Sequence, residues 1–127
     1  MDYAYQGDSR TLRFTVLDEN GAAMNLSSHT VTCTLYRAAT GQPVTARSSG
    51  GAIMLSPKAV VAVTKTSTAG GVTVGGDGHN VCDVALSPSD TANLAGDVFY
   101  KLDVQTGDAK YTVASGVLTF IRTAPAA

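Results

Sequence analysis

The chain has 127 residues and a formal net charge of −1, with 13 Gly, no Trp and only 15% charged residues. This length predicts a single domain, and the near-neutral charge argues against binding nucleic acid through its phosphates. Because no apolar run reaches 18 residues we expect no transmembrane helix, and the wealth of Thr, Val and Gly favours strands over helices.

The first half of the chain alternates apolar and polar residues, which is typical of half-buried strands. An Asn20-Gly21 turn ends the first strand. In the second, Val31, Cys33 and Leu35 lie on one face, and Tyr36 lies on the other with three threonines. Residues 52–56 have no clear pattern. The strands predicted in this half are 10–17, 30–37, 44–47 and 58–68.

The second half predicts four more strands, at 72–74, 80–86, 97–105 and 110–122. Between the second and third of these, Ser87 can cap a helix, Pro88 suits its first position, and Gly96 ends it after about two turns. Ser115-Gly116 predicts a β-bulge in the last strand. Strands at intervals of roughly 8–12 residues are typical of an antiparallel sandwich or barrel.

The domain organisation predicted from these elements is an N-terminal arm at 1–8, a sandwich at 9–122 and a tail of small residues at 123–127. The first residues contain neither the basic segment nor the apolar run of a signal peptide. We therefore expect the protein to be made and folded in a cytosol.

The two cysteines, Cys33 and Cys82, fall on the inward faces of their predicted strands. Their separation is similar to that of the inter-sheet disulfide of immunoglobulin domains, but the Trp that packs on that bridge is absent. Because the expected compartment is reducing, two buried thiols are favoured over a disulfide.

The residue types that perform catalysis or bind cofactors are not arranged for either role. Ser is abundant without a G-x-S-x-G motif, and most acidic residues lie in turns, where Asp accepts backbone N–H bonds. The two histidines, His29 and His79, and the cysteines lack the spacing of a zinc site. We predict no catalytic residue, no metal and no cofactor.

Apolar residues on otherwise polar faces indicate a contact surface, although single apolar residues are also common on monomers. Phe99 shares a face of its strand with Lys and Asp residues. In the last strand, Val117 and Ile121 cannot share a face with Leu118 and Phe120, so one pair points outward unless both faces are covered. The candidate partner-binding residues, two of them tyrosines of the predicted arm, are Tyr3, Tyr5, Phe99, Val117 and Ile121.

The segment 86–104, a short helix followed by a strand with a tyrosine, is the most specific of three segments that carry a family resemblance. Together with 7–21 and 111–120, it resembles immunoglobulin-like modules of tailed-bacteriophage virion proteins, such as the N-terminal domain of the baseplate upper protein. The resemblance implies an all-β, antiparallel immunoglobulin-like β-sandwich of seven to eight strands with one short connecting helix. It carries over no catalytic residue.

On this basis we expect a non-enzymatic structural protein of the virion, made in the host bacterial cytoplasm. It would act by protein–protein contacts in tail, baseplate or neck assembly, or as a capsid-surface decoration protein. Its expected partners are other virion structural proteins and further copies of itself on a symmetric particle, with no nucleic acid and no membrane. The alternative is a receptor- or glycan-binding adhesion module, against which the lack of Trp counts because aromatic platforms usually form such sites.

Overall fold

The computed structural model describes residues 3–18, 20–38, 44–47, 53–56, 59–76, 78–92 and 94–121. Within these ranges the chain forms ten strands and one helical turn. In chain order they are β1 (Tyr3–Tyr5), β2 (Arg10–Thr15), β3 (Thr30–Arg37), β4 (Thr45–Arg47), β5 (Ile53–Leu55), β6 (Val60–Thr66), β7 (Val72–Gly75), β8 (Val81–Leu86), α1 (Pro88–Thr91), β9 (Gly96–Thr106) and β10 (Ala109–Ile121). The predicted all-β class is confirmed.

Two sheets face each other across the core. The larger has the order β1-β10-β9-β3-β6, and its pairs are antiparallel except for β1 with β10. The smaller has the order β2-β8-β7 and is antiparallel throughout. A separate antiparallel hairpin joins β4 to β5. The architecture is therefore a β-sandwich with an added hairpin.

The core lies between the two sheets, because alternation turns one face of each long strand inward. Leu12 and Val84 are buried on the smaller sheet, and Leu102 is buried on the larger. The rings of Phe14 and Tyr100 meet across the core with centroids 5.6 Å apart. Each fully buried aliphatic side chain of this kind contributes about 1.5–3 kcal/mol to folding.

The N-terminal segment is partly a strand of the larger sheet. Tyr5 pairs with Ile121 in a parallel ladder between β1 and β10, and Ala4 is buried in the core. Residues 3–5 of the predicted arm at 1–8 therefore form an edge strand of the sheet, and the domain bounds stay a prediction. The hydrogen bonds that make these residues a strand come from β10, at the other end of the chain. The sequence around residues 3–5 does not indicate this pairing.

The number of strands also differs from the predicted seven to eight. The two additional strands are β1 and β5, and β5 falls in the stretch 52–56 that showed no clear pattern. These residues form a strand because they pair with β4. Their own alternation of apolar and polar residues is too short to predict one. The predicted tail, 123–127, lies outside the described residues.

The connecting helix begins as predicted but is shorter. The Ser87 hydroxyl accepts the Asp90 N–H, and the Asp90 carboxylate accepts the Ser87 N–H, so a capping box starts the helix. The helix ends at Thr91 after one turn, not two turns ending at Gly96, because the chain departs to bury Leu94 completely in the core.

The bulge in β10 lies elsewhere than predicted. The register with β9 shifts between Thr112 and Ala114, whereas Ser115 and Gly116 are paired regularly. Gly116 has a different role, since a Cβ there would lie 2.5 Å from the hydroxyl oxygen of Tyr100. A glycine in a strand commonly marks such a close approach.

Candidate protein-binding surface

The outer face of the five-stranded sheet carries a row of apolar side chains. The register aligns one residue from each of four adjacent strands: Val61 of β6, Tyr36 of β3, Phe99 of β9 and Val117 of β10. Paired residues of neighbouring strands point to the same side of a sheet and contact one another. These four residues, the apolar row, therefore cross the sheet without interruption.

The apolar row is accessible from solvent. Val61 is 54% exposed and Val117 is 38% exposed, while Tyr36 and Phe99 are half-buried. The Tyr36 and Phe99 rings meet edge to face with centroids 6.4 Å apart. The two rings therefore pack against each other at the centre of the row.

A second apolar group lies at the corner of the same face. Ile121 points to the same side of β10 as Val117, and its register partner is Tyr5 of β1. Ile121 is 39% exposed and Tyr5 is 46% exposed. Tyr3 belongs to the same short strand, with Thr119 as its register partner.

The structure decides which side of the last strand is buried. Leu118 and Phe120 are each 2% exposed, whereas Val117 and Ile121 point outward. The cause is the pairing of Leu118 with Val98 of β9, whose side chain lies in the core. Four of the five candidate residues thus lie on one outer face, and Tyr3 is in the strand at its edge.

Charged side chains surround the apolar row. On one side, Asp103 accepts the Thr112 hydroxyl at 2.7 Å, and the Nζ atoms of Lys101 and Lys110 lie 3.9 and 3.8 Å from it. On the other side, Asp97 accepts a threonine hydroxyl of β10 at 2.8 Å. The face therefore has an apolar centre with both signs of charge beside it.

Sequence reasoning did not identify Tyr36 and Val61 as part of this surface. For Tyr36 a signal existed, because alternation in 30–37 turns it away from the inward residues of its strand. Its position beside Phe99 depends on the register between strands that are far apart in the chain. No local pattern contains that register.

The outer face of the three-stranded sheet is polar by contrast. The Arg13 guanidinium donates two hydrogen bonds to the Asp83 carboxylate, at 2.8 and 3.0 Å. The hydrogen bond from Arg13 holds the pKa of Asp83 below its ordinary value, and the same contact raises the pKa of Arg13. Thr11 and Thr73 are exposed on this face. Its charges are already paired.

The two cysteines are free and buried, as predicted from the inward faces of their strands. Burial raises the pKa of the Cys33 thiol to about 12, with the charge of Asp103 adding to the effect. Burial also raises the pKa of Cys82 to about 11. Both thiols are protonated at neutral pH, so they pack as small apolar groups and are not activated nucleophiles.

Within the described residues, no group of three or more His, Cys, Asp or Glu side chains is close enough to hold a metal ion. In the same ranges, no helix has the length and apolar character that crossing a membrane requires. No family model matches the chain, and no curated protein matches it significantly. The geometry of the apolar row is therefore what identifies this face as a candidate protein-binding surface.

Proposed function

We propose that the chain is an immunoglobulin-like structural protein of a tailed-bacteriophage virion, acting without catalysis through protein–protein contacts. The outer face of the five-stranded sheet makes these contacts. They build the tail, baseplate or neck, or attach the protein to the capsid surface. The partners are other virion structural proteins and further copies on a symmetric particle, after synthesis in the host cytoplasm.

The strand order supports the immunoglobulin-like part of this proposal. In such domains strands B, E and D are in one sheet and C, F and G in the other, with C′ added in the variable type. Both orders result if β2, β3, β6, β7, β8, β9 and β10 are named B, C, C′, D, E, F and G. The strand β1 then extends the free edge of G.

The cysteine positions differ from the immunoglobulin disulfide. In antibody domains the bridge joins strands B and F. With the same naming, Cys33 lies on strand C and Cys82 on strand E. The two free thiols are therefore not a reduced form of that bridge, and the resemblance is one of strand order.

The observation that carries the contact role is the apolar row. Exposed apolar side chains that touch across adjacent strands are favourable to bury, at about 25 cal/mol for each Å² removed from water. Polar and charged groups beside the row provide the kind of rim that surrounds protein interfaces. Phe99, at the centre, is an aromatic residue of the type enriched in such contacts.

The test combines a density map of purified particles with an incorporation assay. We expect the chain in the particle, with the apolar row buried against a neighbour. Phe99→Asp places a charge in the row and is expected to lower incorporation at least tenfold, about 1.4 kcal/mol of contact energy or more. Thr11→Asp, on the other outer face, is the matched control and leaves incorporation unchanged.

Circular dichroism of both variants separates loss of contact from loss of folding. The proposal fails if particles lack the chain, or if the map shows the apolar row facing solvent. It also fails if the Phe99 variant folds and is incorporated as well as the unchanged protein.

A groove at one end of the sandwich favours the second candidate function, a glycan-binding adhesion module. It has a volume of about 800 Å³ and lies between the turn after β2 and the β9–β10 hairpin. Tyr111, which is 54% exposed, lines the groove together with Asp18 and His29. The Nδ1 atom of His29 is buried and has no hydrogen-bond partner in the described part of the chain.

An exposed ring beside polar groups suits a sugar, which has both apolar and hydroxyl faces. The test is binding of the purified protein to a glycan array. Competable binding that is lost in Tyr111→Ala and kept in Phe99→Asp would establish the adhesion module. The absence of binding by a protein that enters particles would eliminate it.

A further inference from the structure

We infer that the outer face of the five-stranded sheet binds a second copy of this chain about a two-fold axis that runs along the apolar row. In this dimer the two copies of β9 run antiparallel to one another, with Phe99 at the centre. The inference rests on the proposed function, since it names a partner for the same surface.

The geometry follows from the symmetry of two identical faces. In a closed dimer such faces meet about a two-fold axis that lies in the plane of contact. An axis along the apolar row runs across the strands, so it reverses the direction of β9 in the second copy. Each residue of the row then meets its own copy, which places apolar groups against apolar groups.

A residue that precedes Phe99 in β9 of one copy then faces the residue that follows Phe99 by the same distance in the other copy. Asp97 precedes Phe99 by two residues and Lys101 follows it by two, and both lie on the same outer face. The axis therefore places Asp97 of each copy opposite Lys101 of the other. The twist of packed sheets displaces residues more at the edges than at the centre, so these near-central pairs keep their alignment best.

The charges select this axis over the alternative one. A two-fold axis parallel to β9 leaves the strands of the two copies running in the same direction. It places Asp97 opposite Asp97 and Lys101 opposite Lys101. Like charges facing each other across a contact are unfavourable, whereas the axis along the apolar row gives two pairs of opposite charge.

Both charged groups can reach these pairs, and Lys101 exchanges a long ion pair with Asp103 for one with Asp97 of the second copy. In the described part of the chain, exposed Asp97 accepts the Thr119 hydroxyl at Oδ1, which leaves Oδ2 open. The Nζ atom of Lys101 lies 3.9 Å from Asp103, which is beyond hydrogen-bond distance. When Lys101 turns toward the second copy, Asp103 keeps its hydrogen bond from Thr112.

The size of the face sets the expected affinity. The width of the face is set by the spacing between its five strands, and its length by the rise of about eight residues along a strand. The product of these two dimensions is roughly 500 Å². A standard interface buries about 800 Å² on each partner. We therefore expect a weak, reversible dimer in solution, with a Kd of about 0.1 mM. On a symmetric particle, neighbouring copies are held close together, which raises their effective concentration.

Analytical ultracentrifugation from about 10 µM to about 1 mM protein tests the dimer, over the range that brackets the expected Kd. Asp97→Lys and Lys101→Asp each place like charges opposite each other at two positions. Each is expected to weaken self-association at least tenfold. Thr11→Lys, at an exposed position of the other outer face, is the matched control and leaves the Kd unchanged.

Mixing the two single variants provides the decisive measurement. In a mixed dimer, opposite charges meet at both positions again, so we expect affinity within about threefold of the unchanged protein. The neutral variants Asp97→Asn and Lys101→Gln remove the attraction without adding repulsion, and are expected to fall between the unchanged protein and the reversals. Thermal unfolding by circular dichroism shows that each variant is folded.

The inference fails if the unchanged protein is monomeric over the whole range, or if the mixture associates no better than the single variants alone. These failures differ from a failure of the proposed function. A monomer whose incorporation into particles is still abolished by Phe99→Asp overturns the dimer and keeps the structural role. A dimer formed by a protein that no particle contains supports the dimer and overturns the structural role.

Discussion

The two outer faces of the sandwich arise from the same alternation of residues but differ in what they offer a partner. On the three-stranded sheet, Arg13 and Asp83 satisfy each other through two hydrogen bonds. On the five-stranded sheet, Phe99 and Val117 lie in an exposed row with charges on either side. Burying the first face costs desolvation of an ion pair, whereas burying the second removes apolar surface from water. The three-stranded face is therefore the less favourable of the two to bury against a partner.

The largest expected effect concerns the two sides of β10, on which this comparison depends. Leu118→Ala is expected to lower the free energy of unfolding by about 2–5 kcal/mol, because it leaves a cavity in the core. Val117→Ala on the outer side is expected to cost less than about 1 kcal/mol. Urea unfolding followed by circular dichroism measures both. Equal losses, or a greater loss at Val117, would contradict the assignment of the faces.

The next effect compares a glycine in each sheet. Gly116→Ala is expected to cost about 1–3 kcal/mol, because the new methyl group overlaps the Tyr100 ring, which is packed against Phe14. Gly75→Ala, where the new Cβ has no atom within 4 Å beyond its own residue and its two chain neighbours, is the control and is expected to stay within about 0.5 kcal/mol. Thermal unfolding of the two variants checks the difference. Similar losses at both glycines would show that the close approach of Tyr100 does not matter.

A smaller effect concerns Asp90, which joins the helix to the larger sheet. Its carboxylate lies 2.8 Å from Lys65 Nζ. Burial opposes the charge, but hydrogen bonds from Lys65 and Ser87 outweigh it and hold the pKa of Asp90 below its ordinary value. Asp90→Asn is therefore expected to cost about 1–2 kcal/mol at pH 7.

The pH dependence of this cost has a definite sign. Because the folded pKa of Asp90 is lowered, its contribution is complete above the unfolded pKa of about 3.9 and disappears as the pH falls through the folded value. The unchanged protein and Asp90→Asn should therefore converge in acid. Urea unfolding between pH 7 and pH 3 tests this, with Asp108→Asn in an exposed turn as the control. A difference that does not change with pH would rule out the ion pair as its cause.

The smallest expected effect concerns the polar face. Arg13→Gln breaks the pair with Asp83, but the Arg13 side chain is 70% exposed and water replaces the lost contacts. We expect little change in the unfolding temperature and none in self-association. Differential scanning calorimetry at low and high salt measures the first, and ultracentrifugation the second. Weaker self-association in this variant would show that the dimer contact involves the three-stranded sheet and not the five-stranded one.

Several features could be predicted from the sequence because they depend on near neighbours. The alternation in 30–37 indicates which side chains of β3 face the core, and the Ser87 cap indicates where the helix starts. The burial of both cysteines follows from their places in alternating strands. The length of the helix was less predictable, because the burial of Leu94 ends it.

Composition and local pattern were enough to specify the β class, most strands and the helix start. Tertiary structure was needed to show that Val117 and Ile121 point outward, because each face of β10 has two large apolar residues near its end and pairing with β9 distinguishes them. It also made residues 3–5 a strand and aligned Tyr36 with Phe99. Alternation is a local property of the chain, whereas register is set by hydrogen bonds between distant strands.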